Sequence, residues 1–442
     1  MSQQRPRASI CVASYNHARF LPAALDSALA QTFRDFEIVV VDDGSTDDSL
    51  QIAESYAARY PRLVSVHTHP GRRNLGVSAT VNRAYELSRG EFFSGLPSDD
   101  QLYPDKLERQ IKFFDRHPTH DAVYSYGHYV NREGQLLPEL GLFGIDVTRD
   151  PAPAERLVEG NAVPGMTMLL RRATLDRINL RHDTSLVYSD WDYWARLFAR
   201  ARVGFIHRPL VLYRLHDYNT SVGVGVDERV TYERGYEVLS SFRARAAEIG
   251  GAFALPRTRA LIDLQLAFYS LCAGDEEGAR RNFAGAFDTD ASLRADAPYL
   301  ARWAAAREDD VLRPPPPHDD FVRWVAGNLP PSLTATEAAA VRRALRGARF
   351  GAAARSLRSA RRRFRSRLTV LSCLARDPGV LADPARLPVH LQTLAGGRLS
   401  GYALRVAGRG ARDGGGGGDD AAAKTAAAEA AKGAAKGAGK GF

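Results

Sequence analysis

Short apolar segments alternate with amphipathic ones along about the first 120 residues of the chain. Four runs rich in apolar or β-branched residues have the length of strands, at 8–13, 37–41, 63–67 and 91–95. Between and after them apolar residues recur at helical spacing, at 21–29, 46–60, 77–88 and 105–117. Ser45 and Thr46 are placed to cap the second of these helices. The alternation predicts βαβ units that build an α/β, mostly parallel sheet flanked by helices.

The α/β pattern continues to about residue 225 and then stops. Further strands are predicted at 122–130, 166–171, 203–206 and 210–214, with a helix at 189–201. From residue 228 to about 410 the pattern is helical and rich in Ala and Arg, with a proline run at 314–317. We therefore predict an α/β domain at 1–227, an all-α region at 228–412 with a candidate division at 314–317, and a low-complexity, disordered tail at 413–442.

Two segments of the helical region share a loose pattern, at 266–288 and 341–368. They look like helical hairpins of the tetratricopeptide type, but we favour the interpretation that they are generic amphipathic helices. Residues 342–367 also carry many Arg between Leu and Phe. This pattern could bind an anionic membrane surface, but we favour the interpretation that it forms a solvated helix face.

Composition narrows the class of protein without deciding it. The net charge of +9 and the pI of about 9.5 favour phosphate-bearing ligands or an anionic surface, although an Arg-rich chain can also reflect genomic base composition. No nucleic-acid-binding module accompanies the charge, so we expect no nucleic-acid partner. Three widely spaced cysteines without metal-ligand spacing suit a reducing compartment. Because the sequence has no long apolar segment, we expect a cytoplasmic protein, with peripheral contact at the inner face of the cell membrane as an option.

Polar motifs follow the first four predicted strands, where ligands bind in open α/β sheets. In chain order they are Ala13-Ser14-Tyr15-Asn16, Asp42-Asp43-Gly44-Ser45, Arg72-Arg73-Asn74-Leu75-Gly76 and Ser98-Asp99-Asp100. Carboxylates here could bind a ribose or a base, the Arg pair could bind a phosphate, and adjacent Asp residues could bind a divalent cation. Each motif taken alone is also compatible with a turn, a basic loop or a helix cap.

Two more motifs lie further along the chain. Asp190 opens a predicted helix, where the helix dipole stabilises a carboxylate, and nearby Trp side chains could shape a sugar pocket; capping and core packing are the alternatives. His216 follows the last predicted strand and could be a metal ligand, although a lone His is more often structural. The sequence contains no P-loop, dinucleotide fingerprint or nucleophile elbow.

Taken together and in order, six segments of the chain resemble the family 2 glycosyltransferases, which have the GT-A fold. The segments are SICVASYNHARFLPAALDSALAQTF, FEIVVVDDGSTDDS, RRNLGVSATVNRA, GLPSDDQLYPDKL, SDWDYWARL and LYRLHDYNTS. They cover roughly residues 7–222, and their common order and spacing are far more specific than any one of them.

The resemblance implies roles for individual residues. A nucleotide sugar would be bound by Ala13, Ser14, Tyr15, Asp42, Asp43, Arg73, Asn74, Gly76, Ser98, Asp99, Asp100, Trp194 and Arg196. Asp190 would be the catalytic base, and Asp99, Asp100 and His216 would hold Mn²⁺ or Mg²⁺. The chain departs from the family at two acidic positions, where Pro97 replaces the first Asp of the DxD motif and Ser189 replaces the Glu before the base.

The implied activity is an inverting transfer of a hexosyl or N-acetylhexosaminyl group from a nucleotide sugar, with a UDP-sugar as first candidate. The acceptor would be a hydroxyl of a saccharide, a lipid-linked molecule or a protein, in the synthesis of a cell-surface polysaccharide or glycoconjugate. The two missing acidic residues, at positions 97 and 189, keep a second hypothesis open: a non-catalytic nucleotide-sugar-binding or scaffolding protein of the same fold.

Overall fold

The computed structural model describes residues 5–150, 153–216, 228–306 and 321–356. The strands are β1 (Ala8–Ser14), β2 (Phe36–Asp42), β3 (Val64–Thr68), β4 (Phe92–Pro97), β5 (Gln101–Leu102), β6 (Ala122–Val130), β7 (Leu142–Phe143), β8 (Leu169–Arg171) and β9 (Val203–Arg214). The helices are α1 (Leu21–Leu29), α2 (Ser49–Arg59), α3 (Val77–Leu87), α4 (Lys106–Arg116), α5 (Pro153–Glu159), α6 (Arg172–Arg177), α7 (Ser189–Arg200), α8 (Glu228–Ile249), α9 (Pro256–Cys272), α10 (Glu276–Thr289), α11 (Ala297–Ala306), α12 (Phe321–Gly327) and α13 (Ala335–Ser356).

The described strands form one mixed sheet in the order β3-β2-β1-β4-β8-β6-β9-β5, with β7 paired to β6. The first four strands along the chain are parallel to one another, and β6 and β9 are also parallel. Strand β8 joins these two groups through antiparallel pairs with β4 and β6. The predicted α/β fold with a mostly parallel sheet and a helical C-terminal region is therefore confirmed, and antiparallel strands complete the sheet.

The sheet is buried because helices cover the apolar side chains of its central strands. Every residue of β2 is buried, as expected for a parallel strand with a near-continuous apolar run. Helix α1 turns Leu21, Leu25 and Ala28 toward the strands, in the same cluster as Ile10 and Val40. This packing fixes the ends of the strands, which carry the polar motifs.

Three local predictions were wrong in detail. Residues 203–206 and 210–214 belong to one strand, because β9 passes through Pro209 with an irregular register opposite β6 instead of ending there. The segment predicted as a strand at 166–171 begins as a 3-10 turn, Gly165–Thr167, before the short β8. Ser45 does not cap α2, since its hydroxyl donates to Asp42 and the helix begins at Ser49.

The described residues fall into two compact units. The first contains the sheet, α1 to α10 and α12, and the second contains α11 from Pro298 and α13 from Ala339. Within the first unit α9 is buried on all sides, between α8, α10 and α5, as expected for a helix with apolar residues around its whole circumference. Residues on both sides of the boundary predicted at 227 thus belong to one compact unit. That residues 1–227 form a separate domain remains a prediction.

The helical segments singled out in the sequence are only partly described. Residues 266–288 span parts of α9 and α10, two consecutive helices in contact. The segment at 341–368 coincides with α13 up to Ser356, and the remainder, the proline run at 314–317 and the tail at 413–442 lie outside the described residues. Among the residues that the structure describes, no helix has the length and apolar character needed to cross a membrane.

The interior of the sheet domain contains a lysine without a carboxylate among its hydrogen-bond partners. Lys106 is fully buried, and its Nζ donates to Ser94 Oγ at 2.7 Å, to Gln110 Oε1 at 2.9 Å and to Met168 O at 3.3 Å. Burial lowers the pKa of Lys106 to about 7. Because the unfolded chain would hold this proton up to a pH of about 10.4, unfolding takes up a proton between these two values.

We expect Lys106 to make the fold more stable as the pH rises above 7. The unfolded state binds more protons than the folded state there, so the free energy of unfolding should increase by about 1 kcal/mol per pH unit between pH 7 and 9. Lys106→Met should remove this slope, whereas Lys112→Met, at an exposed lysine of the same helix, should keep it. Urea unfolding at pH 7, 8 and 9 measures all three proteins, and an unchanged slope in Lys106→Met would contradict the assignment.

Candidate active site

The polar motifs that follow β1, β2 and β4 meet at one edge of the sheet. In the parallel register Ala13 lies beside Val41 on one side and Pro97 on the other, and Ser14 lies beside Asp42. The carboxyl ends of adjacent parallel strands therefore carry the three motifs side by side, where open α/β sheets bind their ligands.

Asp42 shapes the turn after β2. One carboxylate oxygen accepts hydrogen bonds from the amides of Gly44 at 3.1 Å and Ser45 at 3.0 Å, and the other accepts one from Ser45 Oγ. Gly44 has a φ of +76°, and a Cβ there would come within 2.6 Å of Arg72 O. Glycine thus allows the turn to approach the loop after β3 closely.

Asp43 connects that turn to the loop after β3. The buried carboxylate accepts hydrogen bonds from Leu75 N at 2.7 Å and Gly76 N at 3.0 Å, and His69 Nε2 lies 3.5 Å away. The structure therefore gives Asp43 a loop-positioning role, and its predicted contact with a nucleoside remains a prediction. Arg73, Asn74 and the aromatic ring of Tyr15 are exposed beside these loops, whereas Ser14 is buried.

The turn after β1 is fixed by the turn after β2. Asn16 has a left-handed φ of 50°, its amide donates to Ser45 Oγ at 3.0 Å, and its Oδ1 accepts from Thr46 N at 2.8 Å. The amide of His17 donates to Ser49 Oγ at 2.9 Å. These contacts hold the strand-end loops in place without a ligand.

Asp99 lies between two imidazoles. Its Oδ2 is 3.0 Å from His216 Nε2, and its Oδ1 is 4.0 Å from His17 Nδ1. Ser98 Oγ lies 2.8 Å from the same His17 nitrogen. One potential ligand atom from each of His17, Asp99 and His216 lies within 4.8 Å of the others. Two ligand atoms at about 2.1 Å from one small divalent cation lie at most about 4.2 Å apart, so this donor set would have to close by about half an ångström to hold such an ion.

Asp100 is oriented differently from Asp99. Its carboxyl group is fully buried, Oδ1 accepts from Arg214 N at 2.8 Å, and Oδ2 has no hydrogen-bond partner among the described residues. Burial, with the adjacent Asp99 charge, raises the pKa of Asp100. The structure thus does not bring Asp100 into the His17–Asp99–His216 group, although its predicted role as a ligand is not otherwise tested.

Asp190 stands in the first turn of α7 and is half-buried. Asn161 Nδ2 donates to Asp190 Oδ2 at 2.7 Å, and the amide of Trp191 donates to Oδ1 at 2.9 Å. Burial raises the pKa of Asp190, which makes its carboxylate a stronger proton acceptor than an exposed one. Asn161 was not predicted, because it lies in an irregular segment with no motif.

Ser189 links α7 to the start of α3. Its Oγ lies 2.6 Å from Ser78 Oγ in the first turn of α3 and 3.1 Å from His182 Nδ1. Burial lowers the pKa of His182 to about 3, so this imidazole is neutral. Helix α3 begins just after Gly76, whose amide Asp43 binds. A continuous set of hydrogen bonds and one short helix therefore connects Asp43 to the residue before Asp190.

Two predicted donor-binding side chains point into the protein. Trp194 is 3% exposed, and its ring packs near Gly165. The guanidinium of Arg196 donates to Asp192 Oδ2 at 2.8 Å and to Arg181 O at 2.6 Å. Both side chains are thus engaged in packing around α7, and none of these contacts supports their predicted place beside a sugar.

Comparison with known proteins finds a family that matches part of the chain. The family described as Glycosyl transferase family 2 matches residues 9–176, which include the motifs after β1 to β4. Residues 9–176 thus match the family 2 glycosyltransferases, and the sheet has the GT-A fold that the sequence predicted.

Particular relatives resemble parts of the chain. An uncharacterized glycosyltransferase of Rickettsia prowazekii (strain Madrid E) is 30% identical over 224 residues, which are 49% of this chain and 66% of that protein. Chondroitin synthase of Escherichia coli is 35% identical over 132 residues, 30% of this chain and 19% of the synthase. The chain thus spans just under two thirds of the first relative and about a fifth of the second.

A solved structure shares the fold. The crystal structure of TarS residues 1–349 from S. aureus has a TM-score of 0.50 and 20% identity, and the match covers 78% of this chain and 92% of that one. A second TarS 1–349 structure, in complex with UDP-GlcNAc, has the same TM-score and 18% identity. Because 78% of this chain exceeds the segment 9–176, the likeness of fold extends beyond the family match.

Proposed function

We propose that the chain transfers a sugar from a nucleoside-diphosphate sugar, with a UDP-sugar as first candidate, to an acceptor hydroxyl with inversion at the anomeric carbon. The observation that carries this proposal is the connection described above, from Asp43 through α3 to the start of α7. It holds a half-buried, hydrogen-bonded carboxylate, Asp190, in a fixed relation to the strand-end loops. Positioning of this kind is what a displacement between two bound substrates needs.

In the proposed reaction Asp190 accepts the proton of the acceptor hydroxyl. The acceptor oxygen forms a bond to the anomeric carbon as the bond from that carbon to the phosphate oxygen breaks. The nucleoside diphosphate leaves with the electron pair. Asn161 keeps the Asp190 carboxylate oriented through Oδ2. The exposed Arg73 and Asn74 would contact the nucleotide part of the donor, and Tyr15 would lie against its base.

We assign Asp99 and His216 as the side chains that would hold Mn²⁺ or Mg²⁺. A carboxylate oxygen and an imidazole nitrogen 3.0 Å apart suit such an ion. When bound, the cation would supply positive charge against the donor diphosphate. His216 is held for this purpose by Phe20, whose ring stacks on the imidazole at 4.7 Å between centroids.

The biological setting belongs to the same proposal. A relative named chondroitin synthase favours a role in making a cell-surface polysaccharide or glycoconjugate, with a saccharide, lipid-linked or protein acceptor. Transfer of a hexosyl or an N-acetylhexosaminyl group is compatible with the family. We propose a cytoplasmic location, with peripheral contact at the inner face of the membrane through the basic segment at 342–367.

A panel of nucleotide sugars tests the donor and the cation together. A ligand at one hundred times its dissociation constant adds about 2.7 kcal/mol to the free energy of unfolding. If UDP-sugars are the donors, they should therefore raise the melting temperature more than other nucleotide sugars when Mn²⁺ is present. A chelator should remove most of this shift. A larger shift with GDP-sugars would overturn the choice of donor.

Turnover separates the enzyme from a binding protein. Release of UDP from the donor that gives the largest shift should be measured with and without an acceptor mixture. Binding without any release of UDP would favour the non-catalytic alternative, which Pro97 and Ser189 motivate. Absence of any shift with nucleoside diphosphates would contradict both functions.

A further inference from the structure

Among the described residues, His17 is the third member of the group around Asp99. Its Nδ1 lies 4.0 Å from Asp99 Oδ1, and Ser98 Oγ lies 2.8 Å from that nitrogen. A ring nitrogen that lies near both a hydroxyl and a carboxylate is placed where a proton or a cation can be shared. The position lies four residues beyond Ala13, the β1 residue that pairs with Pro97.

The backbone around His17 is fixed before any ligand arrives. Its amide donates to Ser49 Oγ, and its carbonyl accepts from the amides of Phe20 and Leu21, each at 2.9 Å. The same turn places the Phe20 ring against both imidazoles, 6.0 Å from His17 and 4.7 Å from His216. The two imidazoles are therefore oriented by one aromatic ring, which reduces the entropy lost when both bind one ion.

We propose that His17 is a protein ligand that takes the place of the missing DxD aspartate, so that His17, Asp99 and His216 hold a divalent transition-metal ion without help from the nucleotide. Three side-chain donors are enough to bind an ion before the diphosphate arrives. Two imidazoles and one carboxylate favour ions such as Mn²⁺ and Co²⁺ over Mg²⁺, which prefers oxygen ligands and retains its water. The proposal deepens the proposed function, because it concerns the same site.

The test uses the full chain, freed of metal and without nucleotide, titrated with Mn²⁺, Co²⁺ or Mg²⁺ in a calorimeter. His17→Phe keeps an aromatic ring beside Phe20 and removes the ligand nitrogens. We expect it to weaken Mn²⁺ binding about tenfold or more, and to change the visible absorption of bound Co²⁺, whose intensity reports the ligand set. The wild type should bind Mn²⁺ at least about tenfold tighter than Mg²⁺, and His17→Phe should narrow this difference.

A matched control is His120→Phe, at a histidine that contacts Phe113 and His117 near α4, away from the group. It should bind Mn²⁺ as the wild type does. Asp99→Asn should abolish binding without nucleotide. Thermal unfolding of each metal-free variant shows whether it remains folded, and His17→Ala replaces His17→Phe if the larger ring destabilises the turn.

Two results would overturn the proposal. The first is unchanged Mn²⁺ affinity in the His17 variants, which would leave His17 as a hydrogen-bonding neighbour of Ser98. The second is the absence of metal binding to the nucleotide-free wild type. Failure of the proposed function is a separate result. If the chain binds Mn²⁺ through His17 but releases no UDP, the metal-site proposal is retained and the proposed transferase activity is rejected.

Discussion

Asp190→Asn should lower kcat by about 10²- to 10⁴-fold and leave the affinity for the nucleotide nearly unchanged, because it removes the proposed general base without removing a proposed donor contact. The amide occupies the same space as the carboxylate. By turning its oxygen toward Asn161 Nδ2 it keeps the hydrogen bond seen at 2.7 Å and gives up only the one that the amide of Trp191 donates to Oδ1. The first turn of α7 should therefore remain folded, and the loss should appear in the chemical step.

The measurement compares UDP release under saturating donor with nucleotide binding by calorimetry. Asp176→Asn is a matched control, since it makes the same chemical change at a half-exposed carboxylate of α6 that contacts Tyr85 and Arg181. That variant should keep its kcat. Turnover within about threefold of wild type in Asp190→Asn would exclude Asp190 as the base.

The pH profile gives an independent check of the same role. Burial raises the pKa of Asp190, and the hydrogen bond from Asn161 opposes this rise by stabilising the charged form. The base works only when deprotonated, so activity should fall as the pH drops through this raised pKa, at a higher pH than an exposed carboxylate would give. Asn161→Ala should move the acid limb of kcat to still higher pH, and an unmoved limb would contradict the coupling.

The strand-end motifs could be predicted from the sequence because their positions follow from local patterns. The strand predicted at 122–130 has the bounds of β6, and the helix predicted at 189–201 differs from α7 by one residue. The carboxyl ends of parallel strands lie at the same edge of the sheet. Predicting parallel strands is therefore enough to predict that Asp42, Asp43 and Asp99 lie near one another.

Other features depend on contacts between distant parts of the chain, which leave no local signal. The position of His17 depends on Ser49, 32 residues away. Asn161 meets Asp190 across 29 residues. Pro209 interrupts the pattern of β9, yet pairing with β6 carries the strand through it with an irregular register. The contact between α8 and α7 is of the same kind, since Arg245 of α8 donates to Asp192, which lies 53 residues earlier.

Helix α8 reaches the first turns of α7 through a buried ion cluster. Asp192 is fully buried, with Arg196 2.8 Å from its Oδ2 and Arg245 of α8 2.5 Å from its Oδ1. The ring of Trp191 also packs edge-on against Phe242 of α8, 5.9 Å between centroids. These contacts hold the first turn of α7, which carries Asp190, so we expect the helical region to position the proposed base.

Arg245→Met should therefore impair both stability and turnover. Removing one partner from a buried charge costs about 3 kcal/mol, the lower end of the usual range because Arg196 still pairs with Asp192. A shift of about 1 Å in a reacting group can lower the rate about 10²-fold, so kcat should fall by at least about tenfold. Nucleotide affinity should change little, since Asp43 fixes the loops that are proposed to bind the donor. Urea unfolding, UDP release and nucleotide titration measure the three quantities.

The control and the double variant decide whether the effect passes through Asp192. Arg243→Met lies on the same helix, but Arg243 pairs with Asp263 at 3.6 Å and is 46% exposed, so its loss should cost less than about 1 kcal/mol and leave kcat unchanged. If the effect passes through Asp192, Arg245→Met combined with Asp192→Asn should lose less stability than the sum of the two single variants. If Arg243→Met and Arg245→Met behave alike, α8 only contributes general stability. If they differ as expected, a chain ended near residue 227 would lose a contact that positions Asp190, and the α/β domain would depend on the helical region for its activity.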